Sequence, residues 1–408
     1  MPMKRERNPS IDALRGLVMV LMVLDHVRDY FAATPFDPTD PSATSPIWFA
    51  MRWVTHLCAP VFVLLAGTAA WFKAKKTTRM ELSRWLVIRG LWLIFIELTL
   101  NSFLWFGTGI PGVQPFLQVQ VLWAIGISMI ALALLCHLPR WCVASLVLAM
   151  IAGHNLLDGA YSIAPPGQQG AGDFLWALLH ERGFFPLAQF APLAERFPMG
   201  ALFVNYPAVP WIGALAAGWV LGPWFETAEG ETERPRDSRR SRRFLLFGIA
   251  LCALFVALRY ANVYGDPAPW TSSDRGSLYT AFSFLNCQKY PPSLSFLLMT
   301  LGPAFVILAL LELTPRRLLS PLVTYGRVPF FFYLTHIALV HAAAAAYANL
   351  SGRDAGWWWQ ASMPGAAEPV ASPWPALIAW PLVTATLYPA CVYWGKLKAA
   401  GHRWTALL

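Results

Sequence analysis

Arg15 and His26 have the residue types and the spacing of a pair that binds a donor and transfers a proton. They are eleven residues apart, which in an α-helix is about 20° from three full turns, so both side chains share one face about 16.5 Å apart. Arginine binds phosphate through a planar fork of N–H donors, and histidine accepts protons near neutral pH. The pair therefore fits a long donor such as coenzyme A, with phosphates at Arg15 and a thioester at His26.

Asp29 follows His26 by about one helical turn. Side chains three residues apart are neighbours on a helix, and a carboxylate in that position can hold an imidazole in one orientation. The spacing predicts His26 as a general base that Asp29 orients. The alternative is structural, with Arg15 as an anchor at the cytoplasmic rim and His26 as a rim histidine.

Four further residues are candidates because they lie within or beside apolar segments. Arg327 comes at the cytoplasmic end of a later segment and can join Arg15 on phosphate. His336, nine residues further on, is a substrate-binding candidate because ionisable residues inside a membrane are costly and commonly functional. In one continuous helix, nine residues place Arg327 and His336 on opposite faces, so they cannot both face one cavity unless Pro329 distorts the turn. Arg259 and Lys289 flank an outer loop, where they can bind an anionic acceptor or organise the loop.

The elements that must position these residues are helices within a membrane. Apolar residues make up 57% of the 408 and charged residues 13%, against about 25% charged residues in soluble domains. This composition excludes a disordered chain and an ordinary soluble globule. The net charge of +9 does not indicate a nucleic-acid partner, because the basic residues flank apolar segments. The six cysteines lack the paired spacing of a disulfide framework or a metal site.

Ten apolar segments are long enough, or nearly so, to span about 30 Å of hydrocarbon. Most Lys and Arg residues lie in every second gap, and the positive-inside rule places those gaps and both termini in the cytoplasm. The sequence therefore predicts an all-α membrane protein with one domain over 1–408, outer loops at about 158–205 and 264–292, and a basic cytoplasmic loop at about 225–243. The segments are 13–31, 47–72, 86–106, 117–137, 141–157, 206–224, 244–263, 293–313, 324–348 and 374–395.

Five motifs run through the chain: SIDALRGLVMVLMVLDHVRDYF, NYPAVPWIG, YGDPAPW, KYPPSLSFLLMTLGP and YGRVPFFFYLTH. Together they resemble a bacterial family of membrane proteins grouped with the catalytic domain of heparan-α-glucosaminide N-acetyltransferase. Arg15 and His26 are also similar to the arginine–ten residues–histidine motif of the acyltransferase-3 membrane family. The lysosomal enzyme has asparagine at the position of His26, and its catalytic histidine aligns with Asp37 here. The acyltransferase-3 resemblance therefore implies His26 as the base, and heparan glucosamine is not implied as the acceptor.

These resemblances imply an acyltransferase of the cytoplasmic membrane that moves an acyl group, acetyl first among them, from cytoplasmic acyl-CoA to an outer-side acceptor. The implied partners are the lipid bilayer, acyl-CoA and a glycan hydroxyl or amine, and a homo-oligomer stays open. No metal is implied. A transporter that uses the same intramembrane charges as a substrate or proton path is the main alternative. A third is a membrane partner of an envelope assembly system without catalysis.

Overall fold

The structure is a computed structural model that describes residues 9–32, 34–110, 113–226, 238–352 and 372–402. The described chain is mostly helical, as predicted, and it also contains one small three-stranded sheet that was not predicted. Part of the predicted basic loop at 225–243 lies outside the described residues. The helices are α1 (Pro9–Phe31), α2 (Pro46–Val54), α3 (Cys58–Ala74), α4 (Arg79–Ile96), α5 (Ser102–Phe106), α6 (Val121–Leu135), α7 (Arg140–Ala152), α8 (Ala171–Leu179), α9 (Ala191–Ala194), α10 (Ala208–Val220), α11 (Ser238–Ala261), α12 (Ser277–Leu285), α13 (Leu294–Leu313), α14 (Arg316–Arg327), α15 (Pro329–Leu350) and α16 (Trp374–Ala399).

Among the described residues, six helical stretches are long and apolar enough to cross a membrane. Three shorter apolar helices, α6, α7 and α10, accompany them. Helix α1 has 23 residues, a sufficient length, but it carries the charged candidates discussed above. Each of the ten predicted segments overlaps one of these helices, while the number of spans and the orientation of the termini stay predictions. The six stretches are Pro46–Ala74, Arg79–Phe106, Arg239–Ala261, Leu294–Leu313, Pro329–Leu350 and Trp374–Ala399.

Two strands of the small sheet lie within 158–205, the region predicted as an outer loop, and the third lies at the start of the predicted segment 117–137. Its strands are β1 (Phe116–Val119), β2 (Gly183–Pro186) and β3 (Ala201–Val204), in the order β1-β3-β2. β1 is parallel to β3, and β2 is antiparallel to it. The strands have four residues each, so their signal is lost within a longer apolar segment. The sheet ties the loop to the start of α6, because β1 leads directly into that helix.

Two pairs of helices approach closely where a glycine of each helix faces the backbone of the other. A Cβ at Gly16 of α1 would lie 1.9 Å from a backbone carbonyl oxygen of α14, and one at Gly326 of α14 would lie 1.8 Å from a carbonyl oxygen of α1. Gly67 of α3 and Gly218 of α10 meet in the same way, at 1.8 and 1.9 Å. Small residues allow such close packing of membrane helices. The first crossing matters for the site because it sets the N-terminal half of α1 beside the end of α14.

Replacing Gly67 by alanine should lower the thermal unfolding midpoint of the detergent-purified protein, because the added methyl group overlaps the α10 backbone. Overpacking of this kind costs about 1–3 kcal/mol. Gly395 of α16 is the matched control, since a Cβ there meets nothing within 4 Å. Gly395→Ala should leave the midpoint unchanged or raise it, because glycine in a helix costs about 0.5–1 kcal/mol relative to alanine. Equal midpoints for the two variants would contradict the close crossing.

Val328 separates two helices where the sequence predicted one segment, 324–348. Its φ of −126° and ψ of 48° lie outside the helical region, and Pro329 begins α15. Proline disfavours the helical conformation of the preceding residue and suits the first turn of a helix. Arg327 therefore ends α14 while His336 belongs to α15. The helix is interrupted at Pro329, the exception that the sequence allowed, so the angle expected for one continuous helix does not apply.

Candidate active site

His26 of α1 and His336 of α15 meet inside the helical bundle. His26 Nδ1 lies 2.6 Å from His336 Nε2, and the stacked rings have centroids 4.9 Å apart. The His336 side chain is fully buried, whereas His26 keeps part of its surface exposed. The structure thus joins the candidate base and a candidate substrate-binding residue in one pair. No local sequence signal predicts this contact, because the two helices are separated by most of the chain.

The contacts of His336 assign the tautomers of the neutral pair. His336 Nδ1 lies 3.1 Å from the carbonyl oxygen of Phe332, which only accepts hydrogen bonds, so Nδ1 carries the proton. His336 Nε2 then accepts a hydrogen bond from His26 Nδ1–H. We assign the neutral form because a buried charge without a paired counter-charge is costly. The remaining nitrogen, His26 Nε2, therefore holds a lone pair and is the atom able to take a proton.

Aromatic side chains surround this histidine pair. Trp105 of α5 contacts His26 edge-on, with ring centroids 4.8 Å apart, and Tyr333 packs against His336 at 5.7 Å. Tyr30 packs against His341 at 4.2 Å, one turn further along both helices. These contacts were not predicted, because the spacing of aromatic residues does not reveal which helices become neighbours. The rings limit the access of water to His26 and provide an apolar wall for a substrate.

Asp29 pairs with Arg28 and not with His26, which corrects the predicted role of this carboxylate. Its Oδ1 lies 2.6 Å from the Arg28 guanidinium, and 46% of its side chain is exposed. The charged guanidinium is a stronger partner for a carboxylate than a neutral imidazole. The hydrogen bond expected between Asp29 and His26 is absent from the described contacts of both residues, and the side-chain partner of His26 Nδ1 is His336 Nε2.

Asp25 anchors the C-terminal end of α1 beside His26. Both carboxylate oxygens lie 2.7 Å from the Arg52 guanidinium of α2, and Oδ1 also accepts from Arg28 at 3.1 Å and Thr55 at 3.0 Å. The attraction within such a network offsets the desolvation cost of its charges only when their hydrogen bonds are satisfied. It fixes the helix turn that carries His26 against α2.

Arg15 and Arg327 come together around Asp12, at the other end of α1. Arg15 donates to Asp12 Oδ1 at 2.9 Å and to the carbonyl oxygen of Gly326 at 2.9 Å. The Nε of Arg327 lies 3.8 Å from Asp12 Oδ2, and 57% of the Arg327 side chain is exposed. Two guanidinium groups therefore lie beside the Asp12 carboxylate. The expected neighbourhood of the two arginines therefore exists, and the close glycine crossing of α1 and α14 creates it.

Arg259 organises the loop at 264–292, which was predicted to lie on the outer side. Its side chain is 3% exposed and lies 3.6 Å from Asp266. Asp266 and four backbone carbonyl oxygens occupy the N–H donors of Arg259. We therefore leave Arg259 out of the proposed substrate-binding set. Lys289 stays in that set, with its ammonium 5.0 Å from the ring centroid of Tyr290. The carbonyl oxygens that Arg259 binds are those of Ala268, Ser283, Phe284 and Asn286.

The described residues contain no group of three or more His, Cys, Asp or Glu side chains arranged to hold a metal ion. At the histidine pair, His26 Nε2 can take up and release a proton beside the aromatic side chains. The two arginines at the far end of α1 supply positive charge.

Residues 7–250 match the model of a protein family described as heparan-alpha-glucosaminide N-acetyltransferase, catalytic. The match covers more than half of the chain. It includes Arg15 and His26 and ends before Lys289, Arg327 and His336. No curated protein matches the chain in a sequence comparison.

Proposed function

The chain belongs to the heparan-alpha-glucosaminide N-acetyltransferase catalytic family, and from this membership we propose that it is a membrane acyltransferase that uses acyl-CoA. Acetyl-CoA is the proposed donor, and the acceptor is a hydroxyl or amine of a glycan on the outer side of the cytoplasmic membrane. The observation that supports this proposal best is the hydrogen bond between His26 Nδ1 and His336 Nε2. It leaves His26 Nε2, on the more accessible of the two rings, to act as the base.

In the proposed reaction, His26 Nε2 takes the proton of the acceptor hydroxyl or amine as that group attacks the thioester carbonyl carbon. The new carbon–oxygen or carbon–nitrogen bond forms and the carbon–sulfur bond breaks. The coenzyme A thiolate then receives the proton from the His26 imidazolium, which restores the neutral pair. The reaction is a direct transfer between two bound substrates. His336 keeps Nε2 of His26 unprotonated before the attack.

Arg15 and Arg327 are proposed to bind the phosphates of the donor. Arginine suits this task because its N–H fork matches the geometry of phosphate oxygens. The eleven residues between Arg15 and His26 leave about 16.5 Å along α1 for the extended pantetheine arm. Asp12 holds the two guanidinium groups near each other before the donor arrives.

Arg15→Ala should weaken coenzyme A binding by about one to two decades, because a hydrogen bond to a charged group contributes about 1.5–3 kcal/mol. Arg15→Lys should recover part of the affinity, since lysine keeps the charge but loses the fork. Isothermal titration calorimetry of the purified protein with coenzyme A measures both.

Arg84→Ala serves as the control for this experiment, because Arg84 is an exposed arginine of α4 outside the proposed site. It should bind coenzyme A as the unchanged protein does. Thermal midpoints check that loss of the Arg15 bonds to Asp12 and Gly326 has not unfolded the variant. Equal affinity of Arg15→Ala and the unchanged protein would remove Arg15 from the donor site.

A further inference from the structure

Two helix hairpins form a basic surface at one end of the bundle. One turn joins α3 to α4, and the other joins α6 to α7. Four exposed cationic side chains lie in these turns or at the starts of the helices that follow them. None of the four forms an ion pair with a carboxylate of the described residues. They are Lys76, Arg79, Arg84 and Arg140, and together they form a basic rim.

The two hairpins are held against each other, so these cations belong to one surface. Gly90 of α4 and Gly126 of α6 face each other, and a Cβ on either would lie 2.5 or 2.7 Å from the carbonyl oxygen of the other. At the turns, Arg79 donates to the carbonyl oxygen of His137 at 2.8 Å. Arg140 follows His137 by three residues, which is at most about 11 Å of chain.

The neighbouring carboxylates act on cations outside the basic rim. Glu81 accepts a hydrogen bond from the backbone N–H of Thr78 at 2.8 Å and interacts electrostatically with Lys73. Glu226 lies 2.5 Å from the ammonium of Lys75. Even with Glu81 counted fully against Lys73 and Glu226 against Lys75, the four positive charges of the basic rim remain.

Exposed apolar side chains adjoin these charges. Trp141 is 72% exposed and Met80 is 71% exposed, each directly after an arginine of the basic rim. The rim lies between the ends of the two membrane-crossing stretches Pro46–Ala74 and Arg79–Phe106, at the boundary predicted to be cytoplasmic. Tryptophan and basic residues are typical of the level where a membrane meets water.

We propose that the basic rim binds the headgroup of an anionic phospholipid, such as phosphatidylglycerol. Its guanidinium and ammonium groups donate charge-assisted hydrogen bonds to the lipid phosphate, and basic residues near a membrane surface attract anionic lipids. The acyl chains lie beside Met80 and Trp141, contacts that a soluble phosphate cannot use. The bound lipid bridges the two turns and so ties α4 to α7. This binding does not depend on the proposed acyl transfer.

Phosphatidylglycerol and phosphatidylcholine with the same acyl chains test this proposal, because their headgroups differ in net charge. Native mass spectrometry of the full-length protein released from neutral detergent measures both affinities. Phosphatidylglycerol should bind at least about tenfold more tightly. The triple variant with Lys76→Gln, Arg84→Gln and Arg140→Gln should lose this preference. Arg79 is kept, because its bond to the carbonyl oxygen of His137 joins the two turns.

A second triple variant is the matched control, because it removes the same charge from exposed arginines of α11 and α14. It combines Arg242→Gln, Arg243→Gln and Arg317→Gln, and it should keep the preference for phosphatidylglycerol. Thermal midpoints check that both variants are folded. Should the first variant fail to fold, Arg140→Gln alone should lower the affinity for phosphatidylglycerol about fivefold, with Arg317→Gln as its control.

Three results would overturn the proposal. Equal affinity for the two lipids would show that the headgroup charge is not recognised. The same loss in both triple variants would show attraction to the overall charge of the protein and no site at the basic rim. Displacement of phosphatidylglycerol by soluble glycerol 3-phosphate or by coenzyme A would assign the rim to a soluble phosphate.

Discussion

Replacing His26 by asparagine should lower acyl transfer at least about 10²-fold while coenzyme A binding is retained. A positioned general base contributes about 10²–10⁴-fold, and asparagine keeps similar size and hydrogen bonding without taking a proton. Its side-chain NH₂ can still donate to His336 Nε2, so the contact between α1 and α15 survives. Coenzyme A binding survives because the proposed phosphate contacts lie at the other end of α1.

Turnover of radiolabelled acetyl-CoA in nanodiscs, with titration of coenzyme A in parallel, measures this effect. His137→Asn is the control, because His137 is exposed and far along the chain from the histidine pair. Near-full transfer by His26→Asn would mean that the base lies elsewhere, with Asp37, His56 and His336 as the next candidates. Solute uptake by vesicles that needs His26 but no thioester would instead favour a transporter, and normal envelope assembly without His26 would favour a non-catalytic partner.

The geometry of α1 could be predicted because it depends on one uninterrupted helix. Arg15 and His26 both lie within Pro9–Phe31, so the rise and the angle per residue are sufficient to place them on one face. The positions of most apolar helices follow from length and composition in the same way. These are local properties, and the sequence contains them directly.

The partners of the candidate residues could not be predicted in this way. The sequence offered Asp29 as the orienting group because it is one turn away, but Asp29 pairs with Arg28 and His336 pairs with His26. That second contact depends on the packing of α15 against α1, which no periodicity encodes. A carboxylate has a stronger local competitor in a neighbouring arginine than in a neutral imidazole.

The placement of Arg327 relative to His336 could not be predicted for a different reason. Their spacing of nine residues was converted into an angle on the assumption of one continuous helix. Val328 interrupts that helix before Pro329, so the angle has no meaning across the break. The sequence contained the signal in Pro329, which allowed a distortion of the turn as the exception, but it did not show where the helix breaks.

His336→Leu should reduce kcat by about 10–100-fold and leave the KM for acyl-CoA unchanged. Leucine fills the buried space but accepts no hydrogen bond, so His26 Nδ1–H loses its partner and the imidazole is free to adopt the wrong tautomer or rotate. Removing the group that orients a metal-bound histidine typically lowers metal affinity or activity by about 10–100-fold. We expect an effect of the same size on kcat here. A fall in kcat alone separates a positioning role from a general loss of folded enzyme.

His336→Gln should restore most of the rate, because the amide oxygen of glutamine can accept the hydrogen bond from His26 Nδ1 as His336 Nε2 does. Steady-state kinetics of the unchanged protein and both variants, with thermal midpoints for each, gives the comparison. Glutamine and leucine variants that are equally slow, with lowered midpoints, would indicate that His336 serves packing alone. Full activity of His336→Leu would show that His26 acts without an orienting partner, and the tautomer assignment would then have no catalytic consequence.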